Sequence, residues 1–257
     1  MIAIVGDPVL AIVEASIPDP VPAGLAAAIA VAAVEAGGVV QLIGKVGDDP
    51  DGDAAVLALG RAGIGHVAML RDAGHRTPVV RVPATSERDG DDGNPLLLEG
   101  DGDGDRHGHG HGHGDGDGDG HAGWFAADLP GELKIDDRSG RPTLDAGDVE
   151  LALRYLPDVR VVALVEPGEG LIAVAVAEAA AAGAHLTVIV ASEEASGVAA
   201  LEHVPLGALV LAAPQGGDAA MFALLVGRYL AAVDAGADPA TAFGAGLAAL
   251  SGERATG

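Results

Sequence analysis

The sequence predicts an α/β protein built around a mostly parallel sheet with helices on both faces. Short apolar runs alternate with Ala-rich helical stretches on both sides of one low-complexity segment. Apolar residues make up 49% of the 257 residues and aromatic residues only 2%, so the core must consist of Ala, Val, Leu and Ile. These are the residues typical of buried parallel strands and of Ala-rich helices.

The elements follow one another in βαβ order, which implies a parallel sheet. The predicted strands are residues 1–5, 39–43, 67–70, 77–83, 159–165, 185–191 and 209–211. The predicted helices are residues 25–36, 53–62, 148–156, 170–182, 219–235 and 239–250. Glycines close several of these helices, and Asp238 with Pro239 is a typical N-cap and first-turn pair for the last one. We expect one domain over residues 1–257, with an Asp/Gly/His-rich insertion at about residues 87–122.

Charge and composition exclude several classes of function. The formal net charge of −24 would repel polyanionic nucleic acid, so we expect no nucleic-acid partner. The chain has no cysteine, which excludes disulfides and thiolate chemistry. The start of the chain carries no basic residues, and the longest apolar stretch is interrupted by Glu178, Gly183 and His185. We therefore predict a cytoplasmic protein with no membrane partner.

Two stretches of the sequence resemble a known family. Residues 41–52 read Gln-Leu-Ile-Gly-Lys-Val-Gly-Asp-Asp-Pro-Asp-Gly and precede a helix and Ala62-Gly63-Ile64. Residues 215–222 read Gln-Gly-Gly-Asp-Ala-Ala-Met-Phe and precede two helices. Both are similar to signatures of the ribokinase-like (PfkB) carbohydrate kinases. The resemblance implies a three-layer Rossmann-like fold with a small β lid, whose strand begins near Thr77, and a homodimer formed through lid strands.

The resemblance also implies a kinase site that uses ATP and Mg²⁺ to phosphorylate a sugar or nucleoside hydroxyl. Asp218 would be the catalytic base, and Gly216 and Gly217 would hold the anion of the nucleotide. Gly24 and Asp49 would contact the substrate. Taken as residues alone, Gly-Gly-Asp is a common sequence that favours an ordinary turn capping the helix starting at Ala219, and both interpretations stay open.

The departures from the family pattern indicate weakened or lost phosphoryl transfer. Pro214 removes a backbone donor just before the glycine pair. The family's substrate-binding Asn falls on Ala28, and its acidic residue falls near Ala11, where Asp7 or Glu14 could substitute only with a different loop. The elements that carry the nucleotide pocket in the family are also shortened between Ala191 and Gly216. A non-catalytic ligand-binding or interaction protein on the same fold is therefore the alternative function.

The low-complexity segment suggests a third function. His107, His109, His111 and His113 alternate with glycine, and Asp-Gly repeats flank them. Imidazoles and carboxylates at this density suit Ni²⁺ or Zn²⁺, so metal handling is a candidate function. The alternative is a solvated surface loop, because glycine gives the tract no preformed geometry.

One further turn lies where α/β proteins bind ligands. Residues 166–170 read Glu-Pro-Gly-Glu-Gly and follow a predicted strand, at the edge of the sheet that such ligands use. Glu169 is also well placed to interact with the positive end of the following helix. A ligand-binding role and a purely structural role are both open for this turn.

Overall fold

The computed structural model describes residues 1–14, 19–83, 140–168, 170–191, 198–214 and 218–254. Nine strands, six α-helices and one 3₁₀ helix lie in this part of the chain. The strands are β1 (Ile2–Val5), β2 (Val9–Glu14), β3 (Asp19–Ala23), β4 (Val40–Gly47), β5 (Met69–Asp72), β6 (Val79–Pro83), β7 (Val161–Val165), β8 (His185–Val190) and β9 (Leu209–Ala212). The helices are α1 (Leu25–Glu35), α2 (Pro50–Arg61), α3 (Ala146–Tyr155), α4 (Leu171–Ala182), α5 (Ala219–Asp234) and α6 (Pro239–Arg254), with the 3₁₀ helix at Val198–His203.

Six of the strands form the central sheet, in the order β5-β4-β1-β7-β8-β9. Every pair in it is parallel, as the βαβ alternation predicts. Helices α1, α5 and α6 pack on one face around Ile29, Val226 and Leu230. Helices α3 and α4 pack on the other face around Val149 and Ala175. The predicted three-layer arrangement with helices on both faces is therefore confirmed.

The remaining strands form a small second sheet in the order β3-β2-β6. Strand β2 runs antiparallel to β3 and parallel to β6. Leu10 and Val79 face helix α2, where they pack with Val46, Ala55 and Ala58. This sheet is the lid that the resemblance implies. Strand β6 is an edge strand within the described chain. A homodimer formed through the lid strands stays a prediction.

The element boundaries differ from the sequence predictions at informative places. The alternation did not predict strands β2 and β3. Proline is compatible with a strand only at the edge of a sheet, and β3, which contains Pro20 and Pro22, is such an edge strand. Strand β4 continues to Gly47 rather than ending at Ile43, because residues 44–47 pair with β5, and the Lys45 ammonium is paired with Asp148 on α3. Across the described residues, every helix falls short of the length or the apolar character that a membrane span needs.

Candidate functional site

A cleft of about 400 Å³ opens at the carboxyl ends of β1 and β7. Helix α1 connects β1 to β4 across one face of the sheet, while α4 connects β7 to β8 across the other. The cleft therefore lies where the connections leave the sheet in opposite directions. In open α/β sheets, ligands bind at such switch points because the chain leaves a crevice there.

The amino terminus of α1 forms one wall of this cleft. Gly24 precedes the helix with a φ of 85°, in the left-handed region that disfavours side chains. A Cβ at this position would also lie 3.3 Å from the Val9 Cγ2. Gly24 thus lets the lid strand β3 turn directly into α1, and Gly24, Leu25 and Ala26 all line the cleft. The structure places the predicted substrate residue Gly24 at the cleft.

Four polar side chains bring charge and hydrogen-bonding capacity to the cleft. Asp7 follows β1, Glu166 follows β7, and Arg141 and Thr143 lie in the segment that leads to α3. Asp7, Arg141 and Glu166 all interact with other polar or charged groups. The arrangement combines two carboxylates, one guanidinium and one hydroxyl, which are the groups that bind a polyhydroxylated ligand.

Glu166 has a strained backbone as well as a place in the cleft. Its φ is 47°, and only one other described residue besides the glycines, Asp158, has a positive φ. The N–H of Glu166 donates to the carbonyl of Ile189 at 2.7 Å, which ties this conformation to strand β8. Non-glycine residues in the left-handed region cost about 1 kcal/mol and are concentrated at functional sites. The position of Glu166 favours the ligand-binding interpretation of the turn at residues 166–170; Glu169 lies outside the described residues.

The lid brings an apolar surface beside the cleft. Val9, Ala11 and Ala23 are buried together on one face of the lid, with Val21 and Val80 packed against them. Ala11 is fully buried, so the position of the family's acidic residue contributes a methyl group to this cluster. Ala28 packs against the core on α1. Of the two substitutes considered, Asp7 lines the cleft, and the side chain of Glu14 is outside the described part.

Asp49 has a well-defined structural role, at the junction of β4, α2 and the lid. Its Oδ1 accepts hydrogen bonds from Gly52 N at 2.8 Å and Thr77 Oγ1 at 2.7 Å, and its Oδ2 accepts one from Thr77 N at 3.0 Å. Thr77 Oγ1 in turn accepts from Gly47 N at 2.9 Å. Burial by itself raises the pKa of Asp49, but the bonds from Thr77 and Gly52 outweigh it and lower the pKa. Asp49 is not among the described residues that line the cleft, and its role as a substrate ligand stays a prediction.

Asp218 lies immediately before helix α5 and is exposed. Its backbone carbonyl accepts from Phe222 N at 3.0 Å. Within the described chain, its side chain makes no capping hydrogen bond to α5. Gly216 and Gly217 fall outside the described residues, so the assignment of this loop as an anion-binding and catalytic element stays a prediction.

The predicted metal-binding tract also lies outside the described residues. His107, His109, His111 and His113 all fall in the stretch 84–139. In the residues that are described, no group of three or more His, Asp or Glu side chains is arranged to hold a metal ion. Binding of Ni²⁺ or Zn²⁺ by the tract stays a prediction.

Sequence reasoning missed two of the cleft residues, Arg141 and Thr143. Both follow the low-complexity segment, in a stretch without strand or helix periodicity. Their place in the cleft results from the path of the chain into α3, which no local pattern encodes. One sequence signal could have indicated them. A charged residue and a hydroxyl residue stand shortly before the helix predicted at residues 148–156, which leads to a central strand.

Comparison with solved structures gives the fold its name. The chain matches a PfkB protein from Polaromonas with a TM-score of 0.53 and 14% identity, over 95% of this chain and 92% of that one. It matches a fructokinase from Vibrio cholerae with a TM-score of 0.52 and 15% identity, over 95% and 88% of the two chains. The chain has the ribokinase-like fold. The resemblance stated from the two sequence stretches is thereby confirmed at the level of the fold.

The similarity is structural rather than sequential. No family model matches the chain, and no curated protein matches it. The matching chains include an uncharacterized sugar kinase from Pyrococcus horikoshii, with a TM-score of 0.42 and 14% identity over 90% of this chain. This chain spans only 60% of the length of that kinase. At such identities the ribokinase-like fold is shared, and the activity has to be argued from the site.

Proposed function

We propose that this protein binds a sugar or nucleoside in the cleft between β1 and β7, and that its phosphoryl transfer is weak or lost. The observation that carries the proposal is the position of the cleft. It lies at the switch point of the ribokinase-like sheet and is lined by Gly24, Asp7, Glu166, Arg141 and Thr143. A ligand with several hydroxyl groups can satisfy both carboxylates and the guanidinium at once.

The names of the structural neighbours support a small hydroxylated ligand. The Vibrio cholerae fructokinase was solved in a fructose-, ADP- and calcium-bound form, and a fructokinase from Xylella fastidiosa with bound ATP matches with a TM-score of 0.52. The size of the cleft, about 400 Å³, is within the range of small-molecule sites.

Three features support weak or absent phosphoryl transfer. In the described chain the sheet ends at β9, whose Val210 and Ala212 are exposed on one face, as expected if the elements of the nucleotide pocket are shortened. Pro214 precedes the glycine pair and has no N–H to offer an anion. Asp218 is exposed, and within the described chain no capping hydrogen bond to α5 holds its side chain.

Neighbours solved with bound ATP, and with ADP and calcium, support a nucleotide and a divalent cation as ligands of this fold. A nucleotide would need donors for its phosphates and a pocket for its base beside α5, and the residues expected to cradle the phosphates fall outside the described part. No cluster suited to a divalent cation is found among the described side chains. We therefore assign no catalytic step to ATP in this protein.

Isothermal titration with fructose, ribose and adenosine tests the binding. We expect one of these ligands to bind, and we expect Glu166→Gln to weaken that binding about tenfold, because a hydrogen bond to a charged carboxylate is replaced by a weaker one to a neutral amide. The matched control is Glu202→Gln, an exposed residue outside the cleft. Equal affinities for both variants would contradict the assignment of the cleft.

An ADP-release assay tests the loss of phosphoryl transfer. We expect the wild-type protein, given ATP, Mg²⁺ and the bound ligand, to release ADP no faster than the Asp218→Asn variant. Ligand-dependent ADP release that Asp218→Asn abolishes would show that the protein is an active kinase. The binding proposal would survive that result, because the two assays measure different properties.

A further inference from the structure

A second cavity of about 510 Å³ lies at the amino-terminal ends of strands in the central sheet, whereas the cleft lies at the carboxyl ends. His185 and Leu209 line it at the starts of β8 and β9, and Tyr229 lines it from the middle of α5. Pro239 and Phe243 of α6 form the outer wall. The cavity is thus bounded by the amino-terminal ends of two strands and by two helices, and it shares no lining residue with the cleft.

Aromatic rings are concentrated around this cavity. The whole chain contains one Trp, two Tyr and three Phe, and among the fully buried hydrophobic side chains that the structure describes Tyr229 is the single aromatic one. The rings of His185 and Tyr229 meet edge to face with centroids 6.1 Å apart. The rings of Tyr229 and Phe243 meet in the same way at 5.9 Å. A continuous row of three rings therefore borders the cavity in a protein that rarely uses rings to fill its core.

The row contains one hydrogen-bonded polar pair. His185 Nε2 lies 2.6 Å from Tyr229 Oη. Burial lowers the pKa of His185 and raises that of Tyr229, so both groups are neutral at pH 7. The side chain of Tyr229 is buried and that of His185 is partly exposed, so His185 is the member of the pair that a ligand can reach.

The other walls of the cavity are small and apolar. Ala208, Leu209, Pro239 and Ala240 contribute them. Asp238 also borders the cavity, but its Oδ2 accepts hydrogen bonds from Thr241 N at 3.0 Å and Thr241 Oγ1 at 2.9 Å. These bonds commit the carboxylate to the start of α6. The cavity therefore combines apolar walls, an aromatic row and one neutral polar pair.

We propose that this cavity is a binding site for a small neutral aromatic molecule that carries one hydroxyl or ring N–H group. The ring of the ligand would lie against Phe243, and its polar group would hydrogen-bond to His185, whose ring the buried Tyr229 holds in place. Apolar pockets of 300–1,000 Å³ with a few convergent polar groups are the usual form of small-molecule sites. The net charge of −24 disfavours an anionic ligand.

Fluorine NMR of 4-fluorophenol with the full-length protein tests this site. We expect the signal of 4-fluorophenol to broaden in the presence of the wild-type protein. Ala240→Trp, which fills the cavity from an exposed position, should abolish the broadening. The matched control is Ala181→Trp, at an exposed position on α4, which should leave the broadening unchanged.

Two further variants test the role of the Tyr229 hydroxyl and distinguish binding in this cavity from binding in the cleft. Tyr229→Phe removes only the hydroxyl that holds His185 Nε2 and should weaken the binding of 4-fluorophenol about fivefold, the value of one hydrogen bond. Glu166→Gln in the cleft should not change it. The proposal is overturned if the wild-type protein gives no broadening at millimolar 4-fluorophenol, or if Ala240→Trp binds as well as Ala181→Trp. An affinity that is the same for Tyr229→Phe and wild type also overturns it.

Discussion

The two aspartates of the sequence signatures differ in what surrounds them. Asp49 accepts three hydrogen bonds from Gly52 and Thr77, and it joins β4, α2 and the lid. Asp218 also precedes a helix, yet it is exposed and its side chain does not cap α5 within the described chain. In this protein the first signature is a structural junction, while the catalytic role of the second stays a prediction because Gly216 and Gly217 fall outside the described residues. The described contacts of the two aspartates therefore predict different effects of substitution on stability.

The largest effect on the free energy of unfolding is expected from a substitution at Gly52, in the junction around Asp49. A Cβ on Gly52 would collide with the carbonyl oxygen of Gly47 and lie 2.7 Å from Arg71 Nη1. We expect Gly52→Ala to lower the free energy of unfolding by about 3 kcal/mol, measured by urea denaturation.

The control for this variant is Gly244→Ala in α6. A Cβ at Gly244 would meet nothing within 4 Å. This change should raise the free energy of unfolding by about 0.5–1 kcal/mol, because alanine has the higher helix propensity. Similar shifts for both variants would show that the junction is not tightly packed.

The next effect compares the two aspartates directly. We expect Asp49→Ala to lower the free energy of unfolding by about 2 kcal/mol, since it removes a helix cap and leaves Thr77 N without its acceptor. Asp218→Ala should stay within about 0.5 kcal/mol of the wild type, as exposed substitutions usually do. Urea denaturation of both variants checks this, and an equal loss would remove the contrast between the two signatures.

A substitution at Glu166 should have a third and smaller effect, which raises the free energy of unfolding instead of lowering it. Glycine tolerates the φ of 47° at this position, so Glu166→Gly should raise the free energy of unfolding by about 1 kcal/mol. The same variant should lose affinity for the cleft ligand in isothermal titration. Asp158→Gly is the matched control: its φ is 58° and it does not line the cleft, so it should gain stability without losing affinity. A Glu166→Gly variant that keeps full affinity would argue for a purely structural turn.

Most of the fold could be predicted from the sequence because its signals are local. The apolar run that becomes α1 is closed by Gly37-Gly38, and the predicted end at residue 36 is within one residue of the observed end at Glu35. The parallel sheet follows from the alternation of such runs with short strands. The β2–β3 hairpin was missed because Pro20 and Pro22 are compatible with a strand only at an edge, and edge position is a property of the tertiary structure.

The candidate site was less predictable, because its residues come together only through the topology. Gly24 was identified through the resemblance, and the structure places it in the cleft wall. Arg141 and Thr143 reach the same cleft from a segment with no periodic pattern. The roles of Asp49 and His185 could not be read from the sequence either, since their partners Thr77 and Tyr229 are distant along the chain.

The smallest of the expected effects is a change in how stability depends on pH. The pKa of Asp49 is lower in the folded protein than its ordinary value of about 3.9, so the unfolded chain binds the proton more readily. The contribution of Asp49 is therefore fully present above about pH 5 and is lost as the pH falls through the folded pKa. The pKa of Asp234 is also lowered: burial alone would raise it, but hydrogen bonds from the Met1 amino group and Arg160 outweigh burial.

Urea denaturation between pH 6 and pH 3 measures this dependence. The wild type should lose stability as the pH falls, and Asp49→Asn should lose less over the same range because it has no carboxylate to protonate. Asp234→Asn should flatten the curve in the same way, and the double variant should add the two changes, since the residues share no partner. If Asp49→Asn kept the full wild-type slope, the hydrogen bonds of the junction would not be what holds the Asp49 carboxylate in its charged form.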